Sequence, residues 1–173
     1  MGNRSPRQSV NPPLYTPEER RRRDASRWTL VQGVLAPLQF VVFLVSLGLV
    51  LRFLATGEGL GAATVSIVVK TLVLYTIMVT GAIWEKEVFG CWLFARPFFW
   101  EDVFSMLVLA LHSWYLVALA TGSLDHRQLM HLALAAYATY VVNATQFLLK
   151  LRAARRDASG QSVLRAPALA LPE

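Results

Sequence analysis

Apolar residues run along this chain in four long blocks separated by short polar breaks, at residues 28–54, 62–84, 99–119 and 129–149. Each reaches the roughly 20 residues that an α-helix needs to cross the hydrocarbon core of a bilayer. Lipid offers no partners to backbone N–H and C=O groups, so such a block satisfies them internally as a helix. The pattern predicts an all-α integral membrane protein, a four-transmembrane-helix bundle in one domain over residues 28–156. The first block is longer than a signal core and follows 27 mostly polar residues, so it is expected to stay in the mature protein.

The breaks and flanks carry their own signals. Residues 1–13 are polar, contain proline and lack apolar periodicity, which predicts a disordered tail. Over residues 14–27, Thr16 caps, Pro17 suits the first helical position and Glu19 falls three residues after Thr16, a capping box opening a short basic helix. With Arg20 to Arg23 on it, that helix is expected to lie amphipathically along the membrane interface, and Trp28 to anchor the entry of span one. Pro37 removes a backbone hydrogen bond inside span one and predicts a kink that opens space in the bundle. Residues 55–61 and 121–128 are expected as tight external loops, and residues 157–173 as a flexible tail.

Composition sharpens the membrane assignment: 55% of the 173 residues are hydrophobic and only 16% charged. The net charge of +6 does not point to nucleic acid, because twelve of the seventeen Lys and Arg residues lie in the two tails. They are accounted for as topology and contact with anionic lipid. Positive residues stay inside, so both termini are expected in the cytoplasm, and with them the connector from Glu85 to Phe98. The single cysteine, Cys91, has no second thiol for a disulfide or a metal site and is expected as a reduced structural thiol.

At about 100° per residue, the polar groups of each span share a face. Span one carries Gln32, Gln39 and Ser46 every seven residues. Span two carries Lys70 in line with Ile77, Gly81 and Trp84, with Glu85 beside them; span three carries Asp102, Ser105 and His112; span four carries Thr139, Asn143, Gln146 and Lys150. All four stripes are expected to point inward, where amides and hydroxyls either join helices or meet a ligand. Lys70 lies roughly 12 Å into span two and needs an anionic partner, a route outward or a neutral amine. His112 lies about 15 Å along span three from Asp102, as a hydrogen-bonded helix contact or an axial ligand to a tetrapyrrole metal. A bis-histidine haem lacks a second ligand, because His126 and His131 sit at the far end.

Carboxyl groups gather where spans two and three meet the cytoplasmic side: Glu85, Glu87, Glu101 and Asp102. The bland alternative is a solvated interfacial cluster screened by Lys86 and Arg96. The functional one is acid-base chemistry on an apolar substrate, one carboxyl as general acid and an ionised partner as base. Glu101 and Asp102 enter their span with no basic neighbour in sequence, which favours a role for them.

The segments LYTPEERRRRDASRWTLVQGVLAPLQF, VVKTLVLYTIMVTGAIWEKEVFG, FFWEDVFSMLVLALH and AAYATYVVNATQFLLKLRAAR place polar and glycine positions as well as apolar ones. Together they resemble the 3-vinyl bacteriochlorophyllide hydratase family of purple bacteria, over residues 14–156. The resemblance implies an enzyme of bacteriochlorophyll biosynthesis in the bacterial inner (intracytoplasmic) membrane, adding water across the ring-A vinyl group of chlorophyllide or bacteriochlorophyllide. Magnesium would enter only as part of that substrate, with no cofactor, and the partners would be lipid and other enzymes of the pathway. The resemblance brings no catalytic residues with it. From the residues themselves, Asp102 or Glu101 is the expected proton donor, and Glu85, with Gln39 or Asn143, the expected holder of the water. His112 is a candidate magnesium ligand, Lys70 a candidate substrate contact, and Lys86 or Arg96 the partner of the free propionate. The same bundle also suits a pigment carrier without turnover, or a small proton-coupled transporter using Lys70 and the carboxylates.

Overall fold

A computed structural model describes residues 14–165, with side chains through residue 153. The tail expected over residues 1–13, and residues 166–173 of the other, lie outside the described residues. Five helices follow in order: α1 Pro17–Ala25, α2 Arg27–Thr56, α3 Leu60–Phe89, α4 Phe99–Thr121 and α5 His126–Arg165. The last four are long and apolar enough to cross a membrane. The backbone of α5 continues well past the expected end of its span at Leu149, so residues 157–165 are helical.

The capping box of α1 forms as the spacing predicts. Glu19 N–H donates to Thr16 Oγ1 at 3.2 Å, and Thr16 N–H donates to Glu19 Oε2 at 2.7 Å. Ser26 then interrupts the helix with an extended backbone and restarts it, its hydroxyl accepting from Trp28 N–H at 3.2 Å. Tyr15, just before α1, is buried and stacks on Phe89 at 5.8 Å between ring centroids, pinning the N-terminal segment to the end of α3. Burial pushes the Tyr15 phenol above its ordinary value, with Arg23 over its ring partly offsetting this.

Helix α2 packs closely on α3, and α4 on α5, and the two hairpins so formed meet along a looser seam. Toward the α2–α3 and α4–α5 loops the core is apolar, built from Phe43, Val50, Ile67, Leu74, Val108, Tyr115, Met130 and Tyr137. At the opposite end Trp84, Phe89, Phe98 and Phe147 close an aromatic cluster around Tyr15. Large apolar side chains such as Leu30, Val34, Val65, Val79 and Trp114 point outward, as lipid-facing positions do. Pro37 lies inside α2, which runs on through it. Beside this part of α2, Leu30, Val31, Val34 and Leu35 line with Thr76 and Thr80 of α3 an open apolar groove of about 420 Å³.

Candidate functional site

Inside the bundle the polar stripes come together in three levels. The level next to residues 90–98 is the carboxyl cluster. Glu85 sits near the C-terminal end of α3 and Asp102 in the first turn of α4; both are buried, and consecutive N–H groups of the connecting loop bond one each, which brings the two acids side by side. Two buried carboxyl groups held side by side do not ionise together readily, the arrangement that acid-base pairs use.

The connecting loop grips this pair through its backbone. Gly90 ends α3 in the left-handed region at φ 82°, and Phe94 is the one non-glycine residue with positive φ among those described, at 60°. That turn aims successive N–H groups at the carboxyls: Phe94 N–H donates to Asp102 Oδ2 at 2.7 Å and Ala95 N–H to Glu85 Oε2 at 3.1 Å. Consecutive N–H groups arranged in this way form a small anion-binding concavity. Sequence patterns did not point to Phe94 or Ala95, since nothing in an F-A dipeptide signals that its amides are aimed at acids.

Glu101 has a different partner. Lys150 of α5 reaches its Oε2 at 2.6 Å, hydrogen-bonds the carbonyl of Pro97 and stands over the Phe98 ring. The absence of a basic neighbour in sequence is thus answered across the fold. Glu87 accepts from the Ser26 hydroxyl at 2.7 Å, tying α3 to the α1–α2 break. Lys86 donates to the carbonyl of Gly90 and lies over Trp92, and Arg96 is exposed; among the described residues neither pairs with a carboxylate.

One turn deeper, Asn143 Nδ2 donates to Ser105 Oγ at 2.8 Å, joining α5 to α4. Its Oδ1 has no partner among the described residues, and neither has Gln146 Oε1 nor either amide atom of Gln39, which is 2% exposed. Gln32 instead donates to Thr80 Oγ1 at 2.8 Å and holds α2 to α3.

The third level holds Lys70 and His112. His112 Nδ1 lies 2.8 Å from the carbonyl oxygen of Val108, which only accepts, so Nδ1 carries the hydrogen. Its Nε2 is then the acceptor for Lys70 Nζ at 2.8 Å. Lys70 is completely buried, without a carboxylate partner among the described residues, and lies over the rings of Tyr140 at 4.4 Å and Tyr137 at 5.0 Å. Tyr137 in turn bonds Ser46 at 2.5 Å, which meets Ser66 at 2.7 Å. Lys70 therefore neither snorkels nor pairs with an acid; an imidazole and two ring faces surround it.

The profile of the family described as 2-vinyl bacteriochlorophyllide hydratase matches residues 15–153, nearly all of the described chain. This chain belongs to that family. The hydratase of that name from Cereibacter sphaeroides is 71% identical over 144 residues, covering 83% of this chain and 89% of the relative. The one from Rhodobacter capsulatus is 66% identical over 157 residues, covering 91% of each. No solved structure matches. The 2-vinyl group of the family name and the 3-vinyl group are the same ring-A substituent under two numbering conventions. Near residues 90–98 the structure thus brings together two buried carboxyls, the N–H groups that hold them and, one turn deeper, amide atoms without a partner among the described residues.

Proposed function

We propose that this chain adds water across the ring-A vinyl group of chlorophyllide or bacteriochlorophyllide, giving the 1-hydroxyethyl group, with Glu85 and Asp102 as the acid-base pair. Protonation of the terminal vinyl carbon leaves a cation that the conjugated macrocycle stabilises. Water then attacks the inner carbon and loses a proton, so one proton enters and one leaves. The addition changes no overall oxidation state, and the chemistry needs no redox cofactor.

The helix ends support an order for the two roles. Asp102 lies at the N-terminal, positive end of α4 and accepts the shorter N–H bond, from Phe94, so its anion is the better stabilised. Glu85 lies at the C-terminal, negative end of α3, where the protonated form is favoured. Glu85 is therefore the donor and Asp102 takes the proton of the attacking water. The residues alone suggested the reverse, with Asp102 or Glu101 as donor; Glu101 is instead engaged by Lys150. The proton that Asp102 takes up returns to Glu85, its neighbour beneath the same turn, which resets the pair.

The arginine-rich termini support placing both, with residues 90–98, on the cytoplasmic side of the bacterial inner (intracytoplasmic) membrane. Helix α1 then lies at the headgroups, where Arg21 and Arg22 are exposed. The cationic side chains at that face open to the substrate's free propionate are Arg96 and Lys86, both exposed.

The carrying observation is the pair of buried carboxyls, Glu85 and Asp102, each held by an N–H of the Phe94–Ala95 turn. Membranes containing the protein, incubated with chlorophyllide, are expected to yield a product heavier by one water. Glu85→Gln and Asp102→Asn are each expected to lower turnover by about 100-fold or more. Undiminished rates in both variants would overturn the assignment, and binding without any change in mass would mark a carrier.

A further inference from the structure

Four buried amide atoms in the seam between the hairpins have no hydrogen-bond partner among the described residues: both of Gln39, Oδ1 of Asn143 and Oε1 of Gln146. A buried amide without a hydrogen bond is costly, so an unmet one favours the binding of a ligand that answers it. Gln39 is the most complete case, 2% exposed with neither atom satisfied. The amide of Asn143 is already held by Ser105.

Their depth is informative. Phe43 of α2 packs on Tyr140 of α5 with ring centroids 5.0 Å apart. Gln39 lies one turn from Phe43 and Asn143 nearly one turn from Tyr140, both toward the carboxyl end, because α2 and α5 are antiparallel. Gln39 therefore shares a level with Asn143 and, through it, with Ser105, which is three residues or about 4.5 Å along α4 from Asp102. His112 is ten residues, about 15 Å, from Asp102. In a bacteriochlorophyllide whose ring-A vinyl stands at the carboxyl pair, the central magnesium is half a macrocycle away, a distance near one helical turn. That is the level of Gln39, and it falls well short of His112.

Chemistry agrees with depth. Magnesium is a hard ion that prefers oxygen ligands at about 2.0–2.1 Å, and an amide carbonyl in an apolar site is such a ligand. Both nitrogens of His112 are in use, one on the Val108 carbonyl and one on Lys70. We infer that Gln39 Oε1 is the axial ligand of the substrate's magnesium, and that it centres the macrocycle so that the vinyl group meets Glu85 and Asp102. The inference rests on the proposed substrate and assigns a residue to its metal.

The test compares the magnesium pigment with its metal-free counterpart, by equilibrium binding to the full-length protein in detergent. Wild type is expected to prefer the magnesium form by about tenfold or more, and Gln39→Leu to bring the two within about twofold while binding the metal-free pigment as wild type does. Gln39→Glu, which keeps an oxygen at the site, is expected to restore the preference. A preference unchanged in Gln39→Leu, or one lost in His112→Ala or Asn143→Leu instead, would overturn the assignment. Because the experiment reads binding of unhydrated pigment, it is separate from hydration: failure to form the heavier product would count against the function and leave the ligand result standing.

Discussion

Single residues inside this bundle divide by whether a neighbour answers them. Lys70 and His112 answer each other, and the asymmetry of the pair is testable. Methionine at position 70 replaces a buried amine with an apolar chain of similar length, a kind of exchange that is often neutral or stabilising. Lys70→Met is expected to change stability by no more than about 1 kcal/mol, whereas His112→Leu strands the amine and should cost about 1–3 kcal/mol, read as thermal unfolding in detergent. Equal losses would mean that Lys70 is needed for packing and not merely tolerated. The inward direction of these residues was legible in sequence, because lipid satisfies neither amines nor amides and the 3.6-residue period shows which face they share. Their partners were not legible. Whether Lys70 meets an acid, water or an imidazole depends on how far α4 is slid along α3, which no local pattern encodes.

At the scale of elements, the loop over residues 90–98 does more than join two spans. It holds Phe94 at φ 60°, a conformation costing a non-glycine residue on the order of 1–3 kcal/mol, and the return is an N–H aimed at Asp102. Glycine adopts that backbone freely, and a β-branched residue adopts it worst. Phe94→Gly is therefore expected to keep turnover, and Phe94→Ile to lower it by about tenfold with little change in substrate affinity, the split being read from kcat and KM. Equal activity in both would remove the turn from the mechanism. The start of helix α1 was legible to the residue through its capping box, since that signal is local and its physics stays within four residues, whereas its end at Ala25, two residues short of the expected one, was not. The grip of Tyr15 on Phe89 and Phe98 was not, because it joins residues more than seventy positions apart.

For the whole molecule, the consequence to check is orientation. Cys91 is the only cysteine in the chain, is partly exposed and lies in the same loop as the carboxyl grip, so it reports on that face without any substitution. A membrane-impermeant maleimide is expected to label it from the cytoplasmic side of sealed vesicles and not from the other; the opposite result would invert the topology and move the site to the far surface. By itself the sequence determined four spans, their inward polar faces, the helix before the first span and the family, because hydropathy, helical period and capping act over a few residues. Only the tertiary structure decided how the carboxylates divide. Glu101 and Asp102 are neighbours about 100° apart on one helix, so the rotation of α4 sends one to Lys150 on α5 and the other to Glu85 on α3. That rotation is set by packing across the seam between the hairpins, and it turns a row of acids into one ion pair and one pair of carboxyls held by adjacent loop N–H groups.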